Sequence, residues 1–191
     1  MCGIAGSYGF VPNNNQISHC LENLKSRGPD DSGVFYNNEI LLIHTRLSVI
    51  DITKNAQQPM IDKKTGVVLV FNGEIYNFKE LQKNNKFNPN NNSDTRVILE
   101  MYLKYGLDAF QFLNGMFAIV IWDPRNQSLY LIRDRFGIKP LYYYEFDNKF
   151  IFGSDLNALF DLGAKKEPNL LSIKNYLGQG VTESHNSTFF S

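Results

Sequence analysis

Val67-Val68-Leu69-Val70-Phe71-Asn72-Gly73-Glu74-Ile75 sets five apolar residues, three of them valine, ahead of an Asn-Gly pair. A short run so rich in β-branched and aromatic residues reads as a strand. Asn-Gly between apolar runs is the best short-range signal for a two-residue hairpin turn, so local chemistry predicts that the strand ends at Phe71 and the chain turns there. The other reading takes the Asn side-chain amide and the neighbouring Gly N–H as a pair of donors, the equipment an oxyanion hole requires.

Outward from this stretch the same kind of run recurs at 3–8, 40–47, 116–122, 129–132, 141–146 and 150–152, each read as a strand. Helical spacing appears between them: Ile17, Cys20, Leu21 and Leu24 recur at three- and four-residue steps, as do Val97, Ile98, Met101 and Tyr102. Further short helices are expected at 77–82, 156–162 and 170–177. Helices grouped between sets of turn-connected strands predict an α+β fold of antiparallel sheets with helices on their outer faces. Residues 84–92 are polar, Asn-rich and carry Pro89, which fits a surface loop. No internal repeat is present.

The bulk composition narrows the function. At 191 residues the chain is long enough to bury a sizeable core as one domain. With 43% hydrophobic and 20% charged residues, 15 Phe and 10 Tyr, it is a globular composition. Nineteen basic and nineteen acidic residues give a formal net charge of +0, so there is no overall positive field for nucleic acid or an anionic membrane. No apolar run approaches the roughly 20 residues of a membrane span, and the first residues lack a basic-then-apolar signal, so a cytoplasmic location is expected. Two cysteines exclude a disulfide framework. His19, His44 and His185 are not spaced as metal ligands, and no Gly-rich phosphate cradle with a following Lys occurs.

Several residues could carry chemistry. If Met1 is removed, Cys2 becomes a terminal residue in which a thiol nucleophile and an amine with an ordinary pKa of about 7.7 to 8.0 share one amino acid; the alternative is a small apolar residue opening a buried strand. Cys20 lies on a helical apolar stripe and reads as core. Arg46 ends a strand and offers a planar fork to a carboxylate, or a solvated ion pair. Asp94 follows Ser93 ahead of a helical pattern and is either part of a helix cap or a partner for a ligand ammonium. Arg133-Asp134-Arg135-Phe136-Gly137 reads most economically as a salt-bridged turn.

The order of motifs is more informative than any one of them. Met1-Cys2-Gly3-Ile4-Ala5-Gly6 is followed by Arg27-Gly28-Pro29-Asp30-Asp31-Ser32-Gly33, His44-Thr45-Arg46-Leu47-Ser48-Val49-Ile50-Asp51 and Gln57-Gln58-Pro59-Met60. Then come Phe71-Asn72-Gly73-Glu74-Ile75-Tyr76-Asn77, Ser93-Asp94-Thr95, Leu113-Asn114-Gly115-Met116-Phe117-Ala118 and Arg133-Asp134-Arg135-Phe136-Gly137-Ile138-Lys139-Pro140-Leu141-Tyr142. From Cys2 to about Leu159 this resembles the class II glutamine amidotransferase domain of glutamine-hydrolysing asparagine synthetases.

The resemblance implies an N-terminal nucleophile hydrolase fold, a four-layer αββα sandwich of two antiparallel sheets between helical layers. It implies Cys2 as nucleophile, with the Asn72 side-chain nitrogen and Gly73 N–H as oxyanion donors. Arg46 would hold the glutamine α-carboxylate and Asp94 the α-ammonium, while Leu47, Ser48, Val49 and Ile50 line the pocket and Glu74 fixes the polar end of the substrate. Glutamine would be hydrolysed to glutamate and ammonia, the ammonia passing to an ATP-dependent synthetase domain or subunit that amidates a carboxylate such as aspartate. Alternatives are a domain feeding another acceptor, such as a sugar or polysaccharide carboxylate, and a non-catalytic partner domain. No cofactor is expected in residues 1–191; ATP and Mg belong to the synthetase half, whose Ser-Gly-Gly-x-Asp-Ser motif does not occur here. The chain departs from the family pattern at Ser26, where many members have His, and at Asp155 and Asn157, where Glu and Lys are usual.

Overall fold

The computed structural model describes residues 1–90, 92–180 and 188–190; His185 and Asn91 of the 84–92 loop lie outside the described residues. Among the described residues nine strands form two antiparallel sheets. Sheet A has the order β2-β3-β1-β9-β8, built from β1 (Gly3–Tyr8), β2 (Asp31–Tyr36), β3 (Ile40–Arg46), β8 (Tyr142–Phe146) and β9 (Lys149–Gly153). Sheet B has the order β4-β5-β6-β7, from β4 (Met60–Ile61), β5 (Val68–Ile75), β6 (Gly115–Asp123) and β7 (Ser128–Arg133). The helices are α1 (Asn14–Leu24), α2 (Phe78–Asn84), α3 (Asp94–Tyr105), α4 (Leu156–Asp161) and α5 (Leu170–Gln179).

Three cores explain why the central strands read as continuous apolar runs: each is covered on both faces, so the period-two alternation sorts side chains between two interiors. Ile4, Ile40, Leu42, Val68, Val70, Ala118, Val120 and Trp122 fill the space between the sheets. Ala5, Leu41 and Ile43 point the other way, onto Cys20 and Leu24 of α1 and Ala158 and Leu159 of α4. Leu69, Phe71, Ile119 and Ile121 face Val97, Ile98, Met101 and Tyr102 of α3, with Phe78 and Leu81 of α2. The result is the four-layer αββα sandwich. Both helical stripes read in the sequence are the buried faces of α1 and α3.

The hairpin expected at Asn72-Gly73 is not there. β5 runs straight through, pairing Asn72 with Ala118 and Gly73 with Phe117, and leaves the sheet only after Ile75. Packing overrides the local turn signal: a Cβ on Gly73 would sit 2.2 Å from the Met116 carbonyl oxygen, so glycine is required there by close strand approach and not by turn geometry. Two strands escaped the periodicity reading. β2 alternates half-buried and exposed residues at the edge of sheet A, and β4 is two residues long.

Candidate functional site

The period of two also aims the chemistry. Arg46 and His44 share the face of Leu42 on β3, and Asn72 shares the face of Val68 and Val70 on β5, so all three point into the space between the sheets. Cys2 lies two residues before Ile4 and is directed the same way from sheet A. At this end of the sandwich the apolar filling gives way to a cavity of about 280 Å³. Cys2, Arg46, Leu47, Asn72 and Gly73 line it, as do Val49, Ile50, Glu74 and Asp94. Ser48 is not among the lining residues; its N–H donates to Asp30 Oδ2 at 2.7 Å.

The Cys2 thiol is held by one residue of the facing loop. Leu47 N–H donates to Sγ at 3.4 Å, and Sγ–H donates to Leu47 O at 3.6 Å. Burial pushes the thiol pKa up; the Leu47 contact, the chain's amino terminus and Arg46 oppose this, and Asp94 adds to it. The net effect is upward, so the resting group is a thiol that needs a base to become a nucleophile.

Arg46 is 7% exposed, and its guanidinium donates to the Thr53 carbonyl at 3.0 Å and to the Asp51 carbonyl. Asp94, the first residue of α3 behind the N-cap Ser93, is 6% exposed and accepts N–H bonds from Ile75 at 3.3 Å and Thr95 at 2.8 Å. Burial pushes its carboxyl up to about 6, against those N–H bonds and with help from nearby Glu74. Among the described residues neither group has an ion-pair partner. A buried cation and a buried anion thus line one cavity, each without a protein counter-charge, which is unfavourable unless a ligand supplies both.

The two donors of β5 are directed at the same space. Asn72 is 1% exposed, and its Nδ2 has no hydrogen-bond partner among the described residues. Phe117, opposite Gly73, uses both its N–H and its carbonyl on Asp134, which makes the Gly73–Phe117 pair a non-hydrogen-bonded one. Gly73 N–H therefore points away from β6. Its neighbours on that edge are satisfied, Phe71 N–H by Gln58 Oε1 at 2.6 Å and Ile75 N–H by Asp94, and no such acceptor meets Gly73 among the described residues.

Several supporting residues were not singled out in the sequence. Gln58 ties Phe71 to Thr95, and His44 bridges the sheets through Nε2 to Phe71 O at 3.2 Å. Burial holds the His44 pKa down to about 4, so the ring is neutral, and with a carbonyl as partner Nε2 carries its proton. The 133–137 segment is not a salt-bridged turn. The Asp134 carboxylate accepts N–H bonds from Phe117, Phe136, Ile138 and Lys139, and Arg133 donates to the carbonyls of Gly137 and Lys139. Burial alone would raise the Asp134 pKa, but the four N–H donors outweigh it and hold it low. Such tertiary bonds leave no local sequence signal.

The sequence pattern of a family described as "Glutamine amidotransferase domain" matches residues 1–191. The chain is 34% identical over 212 residues to a putative glutamine-hydrolysing asparagine synthetase 2 of Methanocaldococcus jannaschii, covering 99% of this chain and 41% of that protein. It is 37% identical over 169 residues to the glutamine-hydrolysing asparagine synthetase 2 of Bacillus subtilis, covering 84% of this chain and 22% of that one. The chain therefore spans less than half the length of these relatives. The structure is similar to the glutamine phosphoribosylpyrophosphate amidotransferase of B. subtilis, with a TM-score of 0.72 over 86% of this chain and 44% of that one, and at 18% identity this likeness concerns the fold alone. The chain belongs to the glutamine amidotransferase domain family.

Proposed function

We propose that this domain hydrolyses glutamine to glutamate and ammonia through a thioester on Cys2, and that residues 1–191 are the glutaminase unit of an enzyme that amidates a carboxylate such as aspartate. The observation that carries the reading is the pair of buried, uncompensated charges in the Cys2 cavity: Arg46 offers a fork to an α-carboxylate and Asp94 an acceptor to an α-ammonium. A zwitterionic amino acid satisfies both. Leu47, Val49 and Ile50 would wall the substrate side chain, with Glu74 at its polar end.

With Met1 removed, the α-amine of Cys2 takes the thiol proton as Sγ attacks the δ-carbonyl carbon. The new oxyanion receives hydrogen bonds from Asn72 Nδ2 and Gly73 N–H. The C–N bond breaks as the ammonium returns the proton to the leaving nitrogen, releasing ammonia and leaving a thioester. Water, activated by the same amine, adds to the thioester, and glutamate departs with the thiol restored. ATP and magnesium would act in the synthetase half of such an enzyme. Among the described residues no helix is long and apolar enough to cross a membrane, and a free thiol nucleophile suits the reducing cytoplasm.

Intact mass is expected to show loss of Met1, and a diazo-ketone analogue of glutamine is expected to label Cys2. Retention of Met1 with no adduct on Cys2 would sink the proposal.

Asp94 adds a pH signature. Its carboxyl is ionised above about pH 6 and protonated below it, and only the ionised form pairs with a substrate ammonium. Glutamine affinity is therefore expected to fall about tenfold between pH 7 and pH 5. Calorimetry on an inactive variant reads this without interference from turnover, with proton release on binding near pH 6. An affinity flat across that range removes Asp94 from the ammonium site.

A further inference from the structure

Lys139 follows the Asp134-braced turn and sends its side chain into the Cys2 cavity, where it is 5% exposed. A lysine buried to this degree is almost always paired with a carboxylate. This one has no ion-pair partner among the described residues, and its Nζ hydrogen bond is to Met1 Sδ at 2.9 Å, a weak acceptor. The nearest acid in sequence, Asp134, is saturated by four main-chain N–H groups and fixes the lysine backbone without neutralising its head.

Resting on the reading of Cys2 as a terminal nucleophile, we propose that Lys139 is a positioning residue whose ammonium keeps the α-amine of processed Cys2 in its unprotonated, base-competent form. Removal of Met1 takes away the thioether that Nζ touches and creates an amine one peptide bond from where Met1 stood. Two amino groups then face one buried space. Protonating the α-amine beside a fixed cation is unfavourable, so the proton stays off it at neutral pH, as a general base requires. The same cation favours the thiolate that forms when the amine acts.

The other charged groups around that amine come from each packed element. Arg27, whose Nε donates to Cys2 O at 3.3 Å, acts in the same sense as Lys139, and Arg46 lies on β3. Glu74 on β5 and Asp94 on α3 oppose them. Lys139 itself is held below its ordinary pKa by burial and then by Arg27, while Cys2, Glu74 and Asp134 pull it back up. The ordinary lysine pKa stands well above that of an α-amine, so the lysine keeps its proton and the terminal amine gives its own up.

The test is the pH profile of kcat for glutamate release by processed protein at saturating glutamine, where Asp94 is already paired with the substrate ammonium and the acid limb reports the amine. Lys139→Met, close in volume and neutral, is expected to move the acid limb up by about one pH unit. That lowers kcat about tenfold on the acid limb below both amine pKa values and about two- to fivefold at pH 7, and leaves it near wild type at pH 9, with KM at pH 9 little changed. Lys139→Arg should restore the wild-type limb. Lys139→Gln serves if the Met variant does not fold. The pH dependence of Cys2 alkylation by iodoacetamide should move with the limb. An unshifted limb in a folded neutral variant overturns the proposal, as does an equal shift in the Arg variant. Absence of glutamate release from the wild type would instead count against the glutaminase reading itself.

Discussion

Cys2→Ala is expected to reduce glutamate release by at least about 10⁴-fold while leaving the fold and glutamine binding in place. The thiol contributes little to packing: it is partly buried, and its hydrogen bonds go to one loop residue, Leu47. Loss of that contact should cost no more than about 1 kcal/mol of stability. The groups that would hold the substrate ends, Arg46 and Asp94, come from β3 and α3 and do not depend on the sulfur. Calorimetry on this variant should find glutamine bound with near wild-type affinity. Measurable turnover by the alanine variant, with Met1 removed, would show that another group performs the attack.

This separation of binding from chemistry reflects how the site was legible in the sequence. Cys2, Arg46, Asn72, Gly73 and Asp94 stand in motifs whose order along the chain is distinctive, and the strands that carry Arg46, Asn72 and Gly73 announced themselves as apolar runs. Local grammar misled where tertiary packing outweighed it. Asn72-Gly73 has the composition of a turn, but pairing with Ala118 and Phe117 holds it extended, and nothing within five residues encodes that partner. Asp134 lies between two arginines and looks like an ion pair, yet its carboxylate is filled by main-chain N–H groups, one of them from β6, seventeen positions away. Lys139 stands in the Arg133–Tyr142 motif, but nothing local assigns it a role, and its burial in the cavity is set by the fold. Periodicity assigns faces; long-range bonds decide which polar groups those faces leave unsatisfied.

Asn72→Ala is expected to lower kcat by about 10²- to 10³-fold, or about 2.7 to 4 kcal/mol, with KM for glutamine changed by less than about twofold. The asymmetry follows from geometry. Nδ2 is buried with no partner among the described residues, so it makes no bond there that the mutation could break. Its bond forms fully only when the δ-carbonyl oxygen gains charge, which places the loss on the transition state. An orphaned buried donor also costs about 1 to 3 kcal/mol of folding free energy. Alanine, set between Phe71 and Gly73 on a strand that packs against Ala118, should therefore unfold at the same temperature as the wild type or higher. Lower turnover together with equal or greater stability is the mark of a group kept for chemistry. A variant that loses turnover and glutamine affinity in equal measure, or that melts several degrees earlier, would make Asn72 a scaffold residue and leave Gly73 N–H as the oxyanion donor without a side-chain companion.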